Sequence, residues 1–488
     1  MNGLMILNIL GHVLRIEGLL MLPSFLVGLL YREDQAWVYL IMAAVCCGLG
    51  TLVVRKPPKN NFFYLKDGCV ATSLCWIMLS IFGAIPFMIT GEIPRFVDAV
   101  FETVSGFTTT GSSILTNVEA MSHASLFWRS FSHWIGGMGV LVFVLAVVPL
   151  SGGSNFQLMR AESPGPSVGK LVPKVGATAR LLYVIYFAMT VITIIALLIS
   201  GMDWFSAFTL SFGAAGTGGF GILNDSCASY TAVQQWILTI AMILFGVNFN
   251  FYYFFLFRKF RKAFEMEEVR WYLVIIVAAV AIIFTSELDR YETAFEALTH
   301  SAFQVGSIIT TTGFGTTDFN LWTPISRTTL VMLMFLGACA GSTGGGFKVS
   351  RLVILVKSAI REVNSYIHPK SIRQIKFDNG PVDQEMVRSI SAYLAAYLAV
   401  FLASVFLVSM EGQDLVTTFT SVAATLNNIG PGLEAVGPTA NYFGLTDISK
   451  WVLIFDMLAG RLELFPLLIL FHPGLWKEQF ARRRMKKK

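Results

Sequence analysis

Charge is what this sequence has least of. Asp, Glu, Lys and Arg make up 14% of its 488 residues, against about 25% in a soluble domain. That scarcity excludes an ordinary soluble globular protein, and a hydrophobic share of 55% excludes a disordered chain. Cysteine is sparse too. Cys46, Cys47, Cys69, Cys75, Cys227 and Cys339 contain no C-x-x-C pair, and they read as small packing residues rather than a disulfide framework or a metal site. The six histidines, at 12, 123, 133, 300, 368 and 472, are scattered. With no H-E-x-x-H and no G-x-S-x-G, they assemble neither a metal centre nor a triad, so no enzyme is expected. No signal peptide is expected, because the first apolar run continues past Leu30 without a small-residue cleavage site.

Apolar runs are what fill the space. A bilayer helix needs about 20 apolar residues. Runs of that kind cover 4–30, 37–54, 69–90, 124–150, 181–201, 232–257, 271–286, 327–356, 388–410 and 447–471, which predicts about ten spans. Their connections alternate in charge. Arg55–Lys59, Arg160–Arg180, Arg258–Arg270, Lys348–Arg388 and Lys477–Lys488 are basic. The intervening ones carry Glu119, Asp225, Glu287–Glu296, Asp318, Glu411–Asp414 and Glu434. The positive-inside rule puts the basic set and both termini in the cytoplasm. The tail Arg482–Lys488 then faces anionic headgroups of the bilayer rather than nucleic acid.

The outer-facing connections hold stretches too apolar for free loops and too short to span. Phe101-Glu-Thr-Val-Ser-Gly-Phe-Thr-Thr-Thr-Gly111 is one. Phe208-Thr-Leu-Ser-Phe-Gly-Ala-Ala-Gly-Thr-Gly218, Phe303-Gln-Val-Gly-Ser-Ile-Ile-Thr-Thr-Thr-Gly313 and Thr420-Ser-Val-Ala-Ala-Thr-Leu-Asn-Asn-Ile-Gly430 are the others. Their final glycines are 107, 95 and 117 residues apart, and each word lies between two spans. The reading is an all-α integral membrane protein. An extra N-terminal helix pair (1–60) precedes four helix–pore-loop–helix units, over 61–160, 161–265, 266–370 and 371–488. Non-helical backbone at membrane depth must line water or be buried in protein. Four such turns meeting on one axis present carbonyls that replace the hydration shell of a cation. Glycine admits the positive φ that this requires.

Two further segments stand out. Gly337-Ala-Cys-Ala-Gly-Ser-Thr-Gly-Gly-Gly346 interrupts the second span of the third unit. A glycine costs about 1 kcal/mol against alanine in a helix, so the triple predicts a break. We expect a flexible intramembrane loop beneath the filter, with few packing contacts, able to gate the pore. Arg461 lies in the second span of the fourth unit, where a charge faces a cavity or a partner. It is read as a pore-facing barrier, as a partner of Asp456 or Glu463, or both. His133 is expected to pack. Gly216-x-Gly218-x-x-Gly221 follows no strand, and Gly341–Lys348 has its lysine displaced by one, so neither is a nucleotide loop.

Ser105-Gly-Phe-Thr-Thr-Thr-Gly-Ser-Ser113, His133-Trp-Ile-Gly-Gly-Met-Gly139, Ala215-Gly-Thr-Gly-Gly-Phe-Gly221, Thr310-Thr-Thr-Gly-Phe-Gly315, Gly341-Ser-Thr-Gly-Gly-Gly-Phe-Lys348 and Asn428-Ile-Gly-Pro-Gly432 together resemble the Trk/Ktr/HKT superfamily of cation transporters, over nearly the whole chain. The resemblance implies potassium uptake across a bacterial inner membrane. It implies K⁺ held at Thr110, Gly111 and Ser112; Thr217, Gly218 and Gly219; Thr312, Gly313 and Phe314; and Ile429, Gly430 and Pro431. It implies a gate of Gly341, Ser342, Thr343, Gly344, Gly345, Gly346 and Phe347 with Arg461. It further implies a homodimer with two pores and a cytosolic ring of nucleotide-binding, RCK-type (TrkA-like) regulatory subunits. Departures exist: repeat two has Ala-Ala-Gly before Thr217, repeat four has Ile429 in place of threonine, and no T-V-G-Y-G word occurs. Weaker selection of K⁺ over Na⁺ is therefore expected than in channels with that word. The competing reading is an alternating-access cation symporter driven by H⁺ or Na⁺. Its mark would be an inverted two-fold repeat with midplane carboxylates; the fourfold rhythm argues against it.

Overall fold

In a computed structural model of the chain, residues 2–55, 64–139, 175–369, 374–378, 380–475 and 477 are described. The expected basic segments 160–174 and 478–488, and the end of the 124–150 run, lie outside them. The long apolar runs fold as helices because a bilayer leaves backbone amides no partner but the helix itself. Gly3–Leu30, Ala36–Val54, Leu65–Ile89, Arg180–Ile199, Glu267–Arg290 and Gln384–Ser409 are long and apolar enough to cross a membrane. The chain is a multi-pass, predominantly helical membrane protein. A two-stranded hairpin, pairing Lys376 with Pro381 and Phe377 with Gly380, lies between helices.

The N-terminal pair packs through small residues. A Cβ on Gly50 would lie 2.6 Å from the Gly11 carbonyl, and one on Gly18 would lie 2.7 Å from that of Ala43. Such close backbone approach is how apolar helices associate where the lipid is as apolar as they are.

Several runs expected as single spans are two pieces. The 232–257 run is Ala232–Phe245 and Phe249–Leu256, bent by 91°; Asn248 breaks it by accepting the Asn250 N–H and starting a new helix. The 327–356 run is Pro324–Leu336 and the start of Val349–Ile367, separated by the glycine segment. The 447–471 run is Asp447–Arg461 and Phe465–Phe471, with Glu463 and Leu464 at positive φ between them. Pro466 suits that restart, since a proline has no N–H to carry a helix through and is tolerated in the first turn of a new one. Hydropathy averages cannot see such breaks, because residues on both sides of each stay apolar.

Four shorter helices, Phe96–Phe107, Trp204–Gly216, Ala294–Ile309 and Leu415–Leu426, lie inside this bundle, exposed at their N-terminal turns and buried towards their C-termini. They aim their C-termini at one another. A buried ion pair anchors the first of them: Lys450 Nζ meets Asp98 at 2.6 Å, tying that helix to Asp447–Arg461. None of the six cysteines forms a disulfide.

Candidate ion-conduction pathway

Each short helix ends in the same way. Thr109, Thr311 and Asn428, each just after its helix's cap, and Thr217, itself the cap, are left-handed, with φ between 55° and 60°. The N–H of each bonds three residues back, to Gly106, Ile308, Thr425 and Ala214 respectively, at 3.1–3.2 Å. The next N–H reaches five residues back, from Thr110 to Ser105, Gly218 to Gly213, Thr312 to Ser307 and Ile429 to Ala424, at 2.8–2.9 Å. This pair of bonds is a Schellman closure, usually made with glycine at the left-handed position. A β-branched threonine there costs on the order of 1–3 kcal/mol, which the buried surroundings impose.

The residue two beyond the left-handed one is a glycine of positive φ in every repeat: Gly111, Gly219, Gly313 and Gly430, at 84°, 75°, 85° and 105°. In repeat two this is Gly219, one residue later than matching the words by their final glycine suggests. Thr217 therefore corresponds to Thr109, Thr311 and Asn428, and Gly218 corresponds to Thr110, Thr312 and Ile429. Two adjacent glycines leave the register open in the sequence; the hydrogen bonds decide it.

With that register the four glycines form a closed cycle. A Cβ on Gly111 would lie 2.1 Å from the Gly218 carbonyl oxygen, one on Gly219 1.9 Å from that of Thr312, one on Gly313 2.0 Å from that of Ile429, and one on Gly430 2.8 Å from that of Thr110. Each repeat thus touches the next, and the fourth returns to the first. Hydroxyls sit behind the backbone: Thr108 with Thr110 at 2.8 Å and Thr310 with Thr312 at 2.7 Å. Ser112 Oγ donates to the Gly430 carbonyl at 3.0 Å, and Tyr442 OH donates to the same oxygen at 2.8 Å. The Phe314 side chain is fully buried away from the axis, packed towards Gly213, while its carbonyl accepts the Ser307 hydroxyl at 2.6 Å.

His133 does more than pack. Its Nε2 accepts the Phe220 N–H at 3.2 Å, so Nδ1 carries the proton and donates to the Gly106 carbonyl at 2.8 Å. One neutral imidazole so joins the first short helix to the second turn. A lone histidine in an apolar helix was the only hint in the sequence. On one side of the cycle opens a polar vestibule of about 190 Å³, lined by Gly111, Gly219, Gly313, Gly430, Pro431 and Tyr442 among others; Arg129 is its one charged lining residue among the described residues.

The glycine segment lies against the other side of the turns. Gly345 N–H donates to Thr311 Oγ1 at 2.6 Å, and a Cβ on Gly344 would lie 2.9 Å from the Thr310 carbonyl. It is non-helical from Gly337 to Lys348, as expected, with Gly337, Gly341 and Gly346 at positive φ. The expectation of few packing contacts does not hold. Cys339 N–H reaches Gly246, Phe249 N–H reaches Gly341, and Ala340 and Ser350 N–H both reach Glu268 Oε1, at 2.6–3.1 Å. Ala338, Cys339, Ala340, Thr343 and Phe347 are buried. Backbone groups inside a membrane protein must find partners, so a loop there is pinned rather than loose. Arg461 donates to the carbonyls of Thr343 at 2.9 Å and Gly137 at 2.7 Å, and also to that of Gly136. Of its two candidate acids, Asp456 takes the Ser404 hydroxyl and Glu463 takes Arg351.

Residues 34–478 match the TrkH family, described as a cation transport protein. The chain belongs to the TrkH family. Halomonas elongata has a Trk system potassium uptake protein TrkH that is 34% identical over 97% of this chain and 99% of its own length. The protein of that name from Escherichia coli K12 is 34% identical over 96% and 97%. The crystal structure of the potassium transporter TrkH from Vibrio parahaemolyticus superposes with a TM-score of 0.87 at 32% identity, covering 98% of this chain and all of that one. The TrkH family is one of transporters, not of enzymes.

Proposed function

We propose that this TrkH-family chain takes up K⁺ across a bacterial inner membrane through a filter built from its four turns. The closed cycle of glycine–carbonyl approaches carries the reading. It supports one axis on which backbone carbonyls of Thr110, Gly218, Thr312 and Ile429, and of Gly111, Gly219 and Gly313, take the place of water around a dehydrated cation, with the Gly430 carbonyl beside them held by Ser112 and Tyr442. Four units over 61–160, 161–265, 266–370 and 371–488 supply one turn each, after an N-terminal pair over 1–60. Ser112, Thr217, Phe314 and Pro431 shape the turns without supplying the ring. The vestibule is the outer entrance, and both termini are cytoplasmic.

Gly341–Phe347 and Arg461 form the gate. Their support is position, since the loop abuts the inner side of the turns and the guanidinium links it to repeat one. A cation leaving the filter meets that fixed positive charge where little water screens it. The basic inner connections suit a cytosolic nucleotide-binding, RCK-type regulatory subunit, and a homodimer gives each protomer its own pore. The test is flux through purified protein in liposomes under opposed K⁺ and Na⁺ gradients. K⁺ flux in excess of Na⁺ is expected; flux of neither ion, or strict dependence of K⁺ movement on a H⁺ or Na⁺ gradient, overturns the pore reading.

A further inference from the structure

One pair of charges stands behind the turns of a single repeat. Glu102 lies nine residues before Gly111; the same place before Gly219, Gly313 and Gly430 holds Leu210, Gln304 and Ser421. Arg129 lies seven residues after Ser122, the N-cap of its helix. The same place after the N-caps Thr231, Thr323 and Thr446 holds Leu238, Leu330 and Leu453, each fully buried. Repeat one therefore carries an ion pair where the others carry apolar or neutral side chains.

The pair is built into the backbone beyond the turns. Arg129 Nε donates to Glu102 Oε1 at 2.7 Å, with side-chain exposures of 2% and 0%. Glu102 Oε2 accepts the Ile114 N–H at 2.9 Å, and its two oxygens accept the Ser113 hydroxyl at 3.0 and 3.2 Å. Arg129 Nη1 donates to the Gly221 carbonyl at 3.1 Å and Nη2 to Ser113 Oγ at 3.3 Å. Its guanidinium also lies 4.0 Å from the Phe220 ring centre. Ser113 and Ile114 leave the turn of repeat one; Phe220 and Gly221 leave that of repeat two. The pair so ties two neighbouring exit strands. Gln304, at the place of Glu102 in repeat three, is fully buried, and neither of its amide atoms bonds to a described residue.

A buried ion pair is a poor way to gain stability, because dehydrating both charges offsets their attraction. Three repeats fold with leucine in place of the arginine, so the fold does not require it. What the pair adds is geometry: forked, charge-assisted hydrogen bonds that hold two strands at a set separation. We propose that Glu102 and Arg129 are positioning residues that set ion selectivity, by fixing the width of the carbonyl ring between repeats one and two. The proposal rests on the K⁺-uptake reading. A ring held at the width of K⁺ cannot close on the smaller Na⁺, and a ring released there can.

The test copies repeat three into repeat one. Glu102→Gln with Arg129→Leu removes both charges and leaves no buried ion unpaired; Arg129→Lys keeps the charge and loses the fork. Each is compared with the wild-type protein in liposomes for K⁺ and Na⁺ flux, and by thermal unfolding in detergent. The K⁺/Na⁺ flux ratio is expected to fall at least tenfold in the double variant and less in Arg129→Lys, with K⁺ flux persisting and the unfolding midpoint changing little. A folded double variant with the wild-type ratio overturns the proposal. So does failure of both variants to fold, which would make the pair a requirement of the fold. Wild-type protein that passes neither ion instead overturns the uptake reading, which separates the two failures.

Discussion

A single methyl group distinguishes the four glycines of the turns. At Gly111, Gly219 and Gly313 a Cβ would stand 1.9–2.1 Å from a neighbouring carbonyl oxygen, and at Gly430 it would stand 2.8 Å away. All four demand a shift of the next repeat's backbone, but the shift asked at Gly430 is the smallest. Gly430→Ala is therefore expected to conduct with a reduced K⁺/Na⁺ ratio, while alanine at Gly111, Gly219 or Gly313 abolishes flux in correctly assembled protein. Liposome flux from all four variants checks this, and equal behaviour of Gly430→Ala and Gly313→Ala counts against the cycle. Gly430 differs in another respect. Its carbonyl oxygen accepts hydrogen bonds from both Ser112 and Tyr442, which occupies its two lone pairs. The outer ring then offers a cation three free carbonyls rather than four. Tyr442→Phe returns one lone pair, at a net hydrogen-bond value of about 1 kcal/mol, or roughly fivefold. The external K⁺ concentration at half-maximal uptake should fall by about that factor; an unchanged or higher value refutes the assignment. At this scale the glycine words were legible because positive φ restricts residue type. The Gly218/Gly219 register was not, since either of two adjacent glycines admits positive φ and only the bonds from Thr217 and Gly218 N–H to Ala214 and Gly213 choose between them; nor was the bridging role of His133, which depends on partners 27 and 87 residues away.

Helix breaks belong to the next scale. The sequence shows the one after Leu336, because three consecutive glycines cannot hold a helix cheaply. It hides the breaks at Gly246–Asn248 and Glu463–Leu464, where one cap or one proline acts inside an apolar run. It also misleads about the loop itself. Glycine content suggests slack, yet Glu268 accepts the N–H of Ala340 within this segment and that of Ser350 just beyond it, and lies 3.4 Å from Asn248 Nδ2. A gate so pinned opens by exchanging one set of bonds for another, as a two-state element does. Glu268→Gln keeps the acceptor and removes the charge. Charge-assisted bonds exceed neutral ones by about 1 kcal/mol, so the open fraction, and with it flux from a mostly closed pore, should rise roughly fivefold. Deleting Gly341–Gly346, or changing Arg461 to Gln, should also raise flux while leaving the K⁺/Na⁺ ratio mostly intact. The two together should raise it less than additively, since Arg461 donates to Thr343 within that loop. Reduced flux in both single variants, at normal expression, would assign the segment a structural role and place the gate elsewhere.

At the scale of the whole molecule, charge rather than hydropathy carries the information. The count of spans from apolar runs came out too regular, because broken helices and short buried helices look alike in a hydropathy window. The alternation of basic and acidic connections survives that error, since it depends only on which side each connection lies. The vestibule and the glycine loop lie on opposite sides of the turns, so one assignment of sides fixes both. Leu321, 64% exposed, lies just before Pro324–Leu336, in the connection that follows the third turn; Tyr366, 81% exposed, lies in the last turn of the helix that leaves the loop, Val349–Ile367. If the basic connections are cytoplasmic, Leu321→Cys in intact cells should react with a membrane-impermeant maleimide, and Tyr366→Cys should react only after permeabilisation. Background is low, because five of the native cysteines are buried and Cys47 is partly so. Labelling in the reverse pattern would turn the vestibule to the cytoplasm and the loop outwards. A cation entering the cell would then meet Arg461 before the ring of carbonyls, and that order cannot support uptake, because the barrier would stand between the dilute external ion and the site that dehydrates it.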